Sequence, residues 1–254
     1  MTTAPPTRWL ETPGARLAYT HQNGAFDDAP GVFFLPGFRS SRAGVKATHL
    51  GAVARARGLA FTALDYRGHG DSGGDFASSH VGLWAADALA VLQAVPTSTH
   101  VLVGSSMGAW IAVHLALANP ARVHSVVTVA AAPDFTEDLL VPSLSTAERT
   151  ALARGDTVFR PSDYGDGPYP ISSALIEGSR AACVLRRPID VDRPLRALHG
   201  ARDPDVPLAQ SEKLVSLWAC DDRALHVIED GDHRLSRDSD LAALDATLAS
   251  LLEG

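Results

Sequence analysis

The sequence has few cysteines and no long apolar run. Its two cysteines are Cys183 and Cys220. They are too few for a disulfide framework and match no metal-ligand spacing, so we expect a reducing compartment. The residues before Leu10 hold no apolar core of signal-peptide length, and no other stretch approaches the roughly 20 apolar residues of a membrane-spanning helix. We therefore expect a cytoplasmic protein that does not span a membrane.

Positive charge is also scarce. The chain has 22 Lys and Arg residues against 29 Asp and Glu residues, a formal net charge of -7 and a pI near 5.8. Nucleic acids and anionic membrane surfaces are bound through basic faces, so this balance argues against both as partners. With 254 residues, 46% of them hydrophobic, the chain can bury one sizeable core. We predict a single domain over residues 1–254.

The most informative motif is Gly-Ser-Ser-Met-Gly at residues 104–108. It follows an apolar run and precedes a helical pattern, which is the context of a strand-to-helix turn that exposes a serine nucleophile. The glycines on either side are expected because the turn strains the backbone at the serine. A Cβ at either glycine would collide with the adjoining strand or helix. Ser106 is therefore the candidate nucleophile.

A serine nucleophile needs a histidine to take its proton and a carboxylate to orient that histidine. With this type of turn, the chain order is Ser, then Asp or Glu, then His. A buried strand pattern at residues 195–198 leads into a turn-rich loop, in which we take Asp203 as the orienting acid. The next strand pattern, at residues 224–228, is followed by a loop that contains His233. His233 is the candidate base.

Three competing residues stay open. Asp205 lies in the same loop as Asp203, where a turn residue is expected. Asp134 follows a strand pattern at residues 126–131, a position that carries the acid in some proteins with this chemistry. His226 lies inside a strand pattern, which is more typical of a buried or edge residue than of a mobile base.

Strand and helix patterns alternate along the chain. Most strand patterns are short continuous apolar runs, as in parallel strands covered on both faces. They lie at residues 16–20 (an early edge strand), 31–35, 59–65, 101–103, 126–131, 195–198 and 224–228. The helical patterns lie at residues 43–57, 81–94, 107–118, 209–219 and from 239 onward. The last contains an apolar stripe that should pack on the sheet: Leu241, Leu244, Leu248 and Leu251. The alternation predicts an α/β fold with a mostly parallel central sheet and helices on both faces.

The alternation breaks between residues 134 and 191. This segment has no strong strand pattern, but it has helical patterns around residues 145–154 and up to about 180, with a Pro/Gly/Tyr-rich stretch at 160–170. Such sheets bind ligands at the C-terminal ends of their strands. We interpret the segment as a small helical lid over that edge. The alternative is a helical excursion that only covers the sheet.

Two groups of residues are candidates for substrate contacts. Arg39 and Arg42 could hold a substrate carboxylate through a forked contact, or they could be solvated. An apolar cluster within residues 134–191, which we call the insertion, could line an acyl pocket or form the insertion's own core: Leu139, Leu140, Val141, Pro142 and Leu144.

Attack on a carbonyl creates an oxyanion that needs two preorganised N–H donors. The Met107 amide opens the predicted helix and gains from the positive end of the helix dipole. The second donor is expected from the loop after the strand at residues 31–35. There Phe38 occupies the donor position, and Gly37 gives its amide room to turn inward. We assign the oxyanion hole to Phe38 and Met107. The predicted chemistry requires no cofactor and no metal.

Together these motifs resemble the α/β-hydrolase superfamily over nearly the whole chain. The resemblance rests on Leu-Pro-Gly-Phe at 35–38, Asp-Tyr-Arg-Gly-His-Gly-Asp-Ser at 65–72, the turn at 104–108, His-Gly at 199–200 with Asp203 and Val-Pro at 206–207, and Gly-Asp-His at 231–233. We assign no catalytic role to the segment at 65–72. Residues 104–110, 160–164 and 232–234 are further similar to a group of small serine esterases, which includes a palmitoyl-protein thioesterase that also cleaves acyl glucuronides.

The resemblance implies a catalytic triad of Ser106, Asp203 and His233. It also implies carboxylic esters or thioesters as substrates, carried by small molecules or acylated proteins. A peptidase of the same fold, a carbon–carbon bond hydrolase and a perhydrolase share these motifs and stay open as alternatives. A ligand receptor that keeps the triad and turns over slowly is a further alternative. The sequence specifies neither the acyl chain length nor the oligomeric state.

Overall fold

The structure, a computed structural model, describes residues 5–26, 28–161 and 167–252. Its strands are β1 (Thr7–Thr12), β2 (Ala15–Gln22), β3 (Gly31–Leu35), β4 (Phe61–Leu64), β5 (His100–Ser105), β6 (Val123–Val129), β7 (Val158–Arg160), β8 (Tyr169–Ile171), β9 (Leu195–Gly200) and β10 (Arg223–Ile228). Its helices are α1 (Val45–Ala56), α2 (Val81–Ala94), α3 (Met107–Ala118), α4 (Val141–Ser143), α5 (Thr146–Ala153), α6 (Ser173–Arg180), α7 (Leu208–Leu217) and α8 (Asp238–Leu252). Within the described ranges, every helix is too short or too polar to traverse a bilayer.

Eight strands form one sheet in the order β1-β2-β4-β3-β5-β6-β9-β10. From β4 to β10 all neighbours are parallel, whereas β2 pairs antiparallel with β4, and β1 with β2. The predicted α/β class with a mostly parallel sheet is confirmed. The prediction of residues 16–20 as an edge strand is wrong, because β1 lies outside β2 and forms that edge. The residues of β1 are mostly exposed, so the strand lacks the apolar pattern that would have revealed it.

Two apolar cores cover the two faces of the sheet. On one face Phe33 and Leu102 pack with α2 and α3. On the other face Val32 and Val101 pack with α1 and α8. The predicted apolar stripe of the last helix is buried there: Leu241, Leu244, Leu248 and Leu251. Because both faces are covered, the C-terminal edge of the parallel strands is left for the loops that carry the chemistry.

Between β6 and β9 the chain leaves the sheet. Helices α5 and α6 match the helical patterns expected there, and a π-helical turn at Thr136–Leu140 leads into α4. The sequence shows no strong strand pattern in this segment, but the structure has two short strands there, β7 and β8, which pair antiparallel as a two-stranded ribbon. Each has three residues, too few for an alternating pattern to show in the sequence. Ser162, Asp163 and Tyr164, part of the segment that resembles the small serine esterases, lie outside the described residues.

Candidate active site

Ser106 lies at the tip of the turn between β5 and α3. Its backbone has φ 54° and ψ -118°, a conformation that residues with a side chain rarely adopt. A Cβ at Gly104 would come within 2.4 Å of the Gly108 carbonyl oxygen, and one at Gly108 within 2.0 Å of the Leu35 carbonyl oxygen. The predicted reason for the two glycines is therefore confirmed, because strand, turn and helix approach each other too closely for a side chain.

Three side chains from distant parts of the sequence meet at this turn. His233 Nε2 lies 3.1 Å from Ser106 Oγ, and His233 Nδ1 lies 2.8 Å from Asp203 Oδ2. The parallel pairing of β5, β6, β9 and β10 brings their C-terminal loops to the same edge of the sheet. The three residues singled out from the sequence thus form one hydrogen-bonded chain, with the geometry that general-base activation of a serine requires.

Both carboxylate oxygens of Asp203 accept hydrogen bonds, Oδ1 from the backbone and Oδ2 from His233. Its side chain is 1% exposed, and Oδ1 accepts the backbone N–H groups of Asp205 and Val206, both at 2.9 Å. Burial raises the pKa of Asp203, but the hydrogen bond and charge of His233, together with the two amides, outweigh burial and hold the pKa below its usual value. Asp203 is therefore ionised at neutral pH, as a carboxylate that orients an imidazole must be.

A second histidine, His199, lies behind this carboxylate; it is part of the His-Gly motif at 199–200, to which the sequence analysis assigned no role. His199 is fully buried, with Nε2 3.0 Å from the Val206 carbonyl oxygen and 3.4 Å from Asp203 Oδ2. Its Nδ1 lies 2.7 Å from the Ser211 hydroxyl. A carbonyl oxygen only accepts, so Nε2 carries the proton and Nδ1 accepts from Ser211. His199 thereby ties the Asp203 loop to α7.

The competing residues have other surroundings. Asp205 is exposed and gives its backbone N–H to Asp203. His226 is exposed on the edge strand β10. Asp134 is buried and accepts the backbone N–H groups of residues 184–185 at 2.7 and 2.9 Å, so its carboxylate fastens the end of the insertion to the strand that precedes it.

The loop after β3 passes beside the candidate nucleophile. A Cβ at Gly37 would lie 3.2 Å from the Ser105 carbonyl oxygen and 3.3 Å from Ser106 Cβ. Met107 is the first residue of α3, so its N–H is one of the helix-end donors that lack an intrahelical acceptor. Among the described residues, the Phe38 N–H donates to no other protein group. The two backbone segments that carry the predicted oxyanion donors thus border the candidate nucleophile.

A cavity of about 970 Å³ opens over Ser106 and His233. Aromatic residues form one part of its wall: Phe34, Phe38, Phe76, Phe159 and Tyr169. Its charged lining residues, within the described ranges, are the cations Arg39, Lys46 and Arg234 and the acid Asp75. The lining of the cavity is therefore aromatic in part, and its charged residues are mainly positive.

The apolar cluster of the insertion packs elsewhere. Leu144 forms a small core with Leu152, Ile171 and Ile176. Leu140 and Val141, two more members of the cluster, pack against this core. The alternative of core packing is thus confirmed for these three members. The aromatic residues of the β7–β8 ribbon contact the cavity instead, and their short strands gave no signal in the sequence.

Arg39 and Arg42 differ in their partners. Arg42 is paired with the carboxylates of Asp65 and Asp71, so it is not a solvated or substrate-facing cation. Arg39 lines the cavity, and its guanidinium donates to the carbonyl oxygens of residues 167–168 at 3.1 and 2.7 Å. It links the loop after β3 to the β7–β8 ribbon.

The loop that carries His233 is anchored to α1. Lys46 Nζ donates to the Arg234 carbonyl oxygen and to Ser236 Oγ. Leu235, between them, is buried and has φ 41°. Burial lowers the pKa of Lys46 to about 8. These contacts hold the loop, and with it the imidazole, against the body of the protein.

A group of potential metal ligands coincides with this site. Asp203, Asp205 and His233 have ligand atoms within 4.8 Å of one another. Both oxygens of Asp203 and both ring nitrogens of His233 already take part in the hydrogen bonds described above. A metal ion at this position would have to replace those bonds.

Comparison with known proteins gives consistent matches. Residues 31–159 match the family described as serine aminopeptidase, S33. A mouse protein named palmitoyl-protein thioesterase ABHD10, mitochondrial, is 32% identical over 240 residues, which cover 93% of this chain and 79% of that protein. A solved structure from Agrobacterium vitis S4 has a TM-score of 0.93 and 36% identity, over 97% of this chain and 98% of that chain. The solved structure of mouse alpha/beta hydrolase domain-containing protein 10 has a TM-score of 0.87 and 30% identity, over 98% of both chains.

Proposed function

Because this chain belongs to the serine aminopeptidase S33 family of α/β hydrolases, we propose that it cleaves carboxylic esters or thioesters through an acyl-enzyme intermediate. Ser106 is the nucleophile, His233 the general base and Asp203 the carboxylate that orients the imidazole. The observation that carries this proposal is the continuous hydrogen-bonded chain from Ser106 Oγ through both ring nitrogens of His233 to Asp203.

The first half-reaction forms the acyl-enzyme. The Nδ1–H of His233 donates to Asp203, which leaves the Nε2 lone pair facing Ser106 Oγ. Nε2 takes the hydroxyl proton as Oγ attacks the acyl carbonyl carbon. Collapse of the tetrahedral intermediate expels the alcohol or thiol, which receives the proton from His233. Water then attacks the acyl group by the same steps and releases the acid, so the enzyme returns to its starting state.

The N–H groups of Phe38 and Met107 stabilise the oxyanion in both half-reactions. They belong to the two backbone segments that border Ser106, the loop after β3 and the start of α3. Donors fixed by the fold need no reorganisation as charge develops, and the loss of one costs roughly a hundred- to thousandfold in kcat.

The charge of the cavity favours esters and thioesters over peptides with a free amino terminus. An aminopeptidase must bind a substrate ammonium group, for which a carboxylate is the suitable partner. The charged residues among the described lining residues are one acid, Asp75, and three cations, Arg39, Lys46 and Arg234. This excess of positive charge repels an ammonium and accepts neutral or anionic acyl groups.

The substrate class that we propose is an apolar acyl thioester or ester. Two observations support it: the aromatic wall of the cavity, and a relative at 32% identity that is named a palmitoyl-protein thioesterase. Apolar walls with a few placed polar groups are typical of pockets that bind such ligands. The acyl donor is either a small molecule or an acylated protein.

We further propose that residues 134–191 act as a lid on a single domain of residues 1–254. Phe159 and Tyr169 of the β7–β8 ribbon line the cavity. Arg39 donates to the backbone of the same ribbon. The cytoplasmic location stays a prediction; the curated relative is named as mitochondrial.

The substitution Ser106→Ala tests this function. We expect a loss of about a millionfold in kcat on p-nitrophenyl esters and acyl thioesters of graded chain length, because the nucleophile is removed. Circular dichroism and the melting temperature should stay at wild-type values and serve as the folding control. Undiminished turnover by Ser106→Ala would disprove the proposal.

Assays of the wild type on these esters and thioesters, extended by a diketone and by hydrogen peroxide with an acyl donor, separate the alternative functions. A carbon–carbon bond hydrolase would prefer a diketone substrate, and a perhydrolase would form peracid from hydrogen peroxide and an acyl donor. A receptor would release acid once and then turn over slowly. We expect rapid multiple turnover of esters or thioesters, which none of these alternatives predicts.

A further inference from the structure

The segment at residues 65–72, which carries no catalytic role in the mechanism above, holds the loop after β3 at three points. We call residues 36–42 the oxyanion loop. Besides the ion pairs of the Arg42 side chain, three contacts hold the backbone of this loop. Tyr66 Oη donates to the Pro36 carbonyl oxygen at 3.0 Å, the Arg42 backbone N–H donates to Asp65 Oδ1 at 2.7 Å, and the Arg39 backbone N–H donates to His69 Nε2 at 3.2 Å. The contact through His69 lies next to Phe38, the proposed oxyanion donor.

The contacts of His69 define its tautomer. Its Nδ1 lies 3.2 Å from the Arg67 carbonyl oxygen. Because a carbonyl oxygen only accepts, Nδ1 carries the proton. Nε2 then has a free lone pair, and it accepts the N–H of Arg39. The ring can do both only in the neutral state, since a protonated imidazole has no acceptor.

The surroundings of His69 keep the ring neutral and fixed. The residue is 3% exposed, and burial lowers the pKa of His69 to about 4. Its ring centroid lies 5.5 Å from that of Tyr66, 5.0 Å from that of Phe76 and 5.1 Å from that of Trp84. The aromatic rings on these sides leave the imidazole little freedom to turn its acceptor away.

The N–H that His69 accepts belongs to a strained turn. Residues 37–40 form a four-residue turn in which the Ser40 N–H donates to the Gly37 carbonyl oxygen at 3.0 Å. Arg39, the third residue, has φ 56°, although glycine or asparagine normally occupies such a position. Turns with negative and with positive φ at this residue differ by rotation of the central peptide, here Phe38–Arg39. The bond to His69 fixes the orientation of that peptide.

We propose that His69 is a positioning residue for the oxyanion hole: its Nε2 holds the Arg39 N–H, fixes the strained turn at residues 37–40, and so keeps the Phe38 N–H of the preceding peptide in place for the substrate oxyanion. The inference rests on the function proposed above. It gives the segment at residues 65–72 a task in catalysis that acts through the backbone of the oxyanion loop. A merely structural role would instead affect only the stability of the fold.

Two variants of His69 separate these roles. His69→Phe keeps an aromatic ring among the neighbouring rings but removes the acceptor. His69→Gln provides an amide oxygen near the position of Nε2 and restores the acceptor. For each we would measure kcat and KM with an ester, the affinity for an aryl boronic acid, which forms a tetrahedral adduct on the serine, and the melting temperature.

For His69→Phe we expect kcat to fall about tenfold to a hundredfold with little change in KM, because misplacing one donor weakens only the transition state. Affinity for the boronic acid should fall by a similar factor. His69→Gln should recover most of both losses. Equal losses in the two variants, or a lower melting temperature with unchanged kcat and boronic acid affinity, would overturn the proposal.

A measurement on the unaltered protein covers the case in which a variant does not fold. The nitrogen chemical shifts of His69 at neutral pH should report a protonated Nδ1 and an unprotonated Nε2, whereas a protonated Nε2 would contradict the proposal. Ser106→Ala, assayed in parallel, keeps the two proposals apart. If Ser106→Ala is inactive and His69→Phe is normal, only the role of His69 fails; if Ser106→Ala is active, the proposed function itself fails.

Discussion

Asp203 and Asp134 are two buried aspartates with similar surroundings and opposite acid–base behaviour. Each follows a parallel strand, β9 and β6 respectively, and their side chains are 1% and 0% exposed. Each carboxylate accepts two backbone N–H groups at 2.7 to 2.9 Å. Nevertheless, the pKa of Asp203 lies below its usual value and the pKa of Asp134 lies above it.

The imidazole of His233 accounts for this difference. At both aspartates burial raises the pKa and the backbone N–H groups lower it. Asp203 gains in addition the hydrogen bond and charge of His233 at 2.8 Å. The cation beside Asp134 is Arg186, whose Nε is 3.8 Å away and whose side chain is 45% exposed, so solvent weakens its influence. The negative charge of Asp138 raises the pKa of Asp134 a little further. A buried carboxylate that bonds only backbone N–H groups, as Asp134 does, holds the fold together. A buried carboxylate that also bonds a histidine, as Asp203 does, can orient that histidine for proton transfer.

Substitution of each aspartate by asparagine should give the largest contrast. Asp203→Asn is expected to lower kcat by about 10⁴-fold, because the amide favours the wrong tautomer of the base. Asp134→Asn should leave the kcat of the folded protein near the wild-type value. It should instead lose about 1 to 3 kcal/mol of unfolding free energy, because its NH₂ group faces a buried backbone N–H. Ester kinetics and urea denaturation measure the two effects; equal losses of kcat would refute the contrast.

The pH dependence of stability should differ in sign at the two sites. The pKa of Asp203 in the folded chain lies below the unperturbed 3.8, so the unfolded chain binds its proton first, and the stability that Asp203 contributes is lost as pH falls below 3.8. The pKa of Asp134 lies above 3.8. There the folded chain binds the proton first, and stability is gained as pH falls towards 3.8.

Unfolding free energies of the wild type and the two asparagine variants, measured from neutral pH to below 3.8, test this smaller effect. Relative to Asp203→Asn, the wild type should lose stability at the acid end. Relative to Asp134→Asn, the wild type should gain stability as the pH falls towards 3.8. Difference curves with the same sign at both sites would show that the partner of the carboxylate does not decide its behaviour.

The sequence could identify Ser106, Asp203 and His233 because each lies in a short local pattern at a strand end, in a required chain order. The parallel strands were predictable for a similar reason, since strands buried on both faces are continuous apolar runs. Strand β1 was not predicted, because an exposed edge strand needs no apolar pattern in its sequence.

Features that depend on contacts between distant loops could not be predicted. Arg39 reaches the carbonyl oxygen of Pro168, 129 residues away, and its amide meets His69, 30 residues away. Neither contact follows from the local pattern around any of these residues. The aromatic wall of the cavity likewise depends on the fold of the β7–β8 ribbon, and the apolar cluster that the sequence offered for this role lies largely in the insertion's own core.

Reaction with a fluorophosphonate probe, followed by peptide mapping, tests the central claim that Ser106 is the nucleophile. We predict one phosphonyl group per chain, located on Ser106, with loss of turnover in proportion to labelling and no labelling of Ser106→Ala. Inactivation with the phosphonyl group on another residue, or full turnover by a chain labelled at Ser106, would contradict the account.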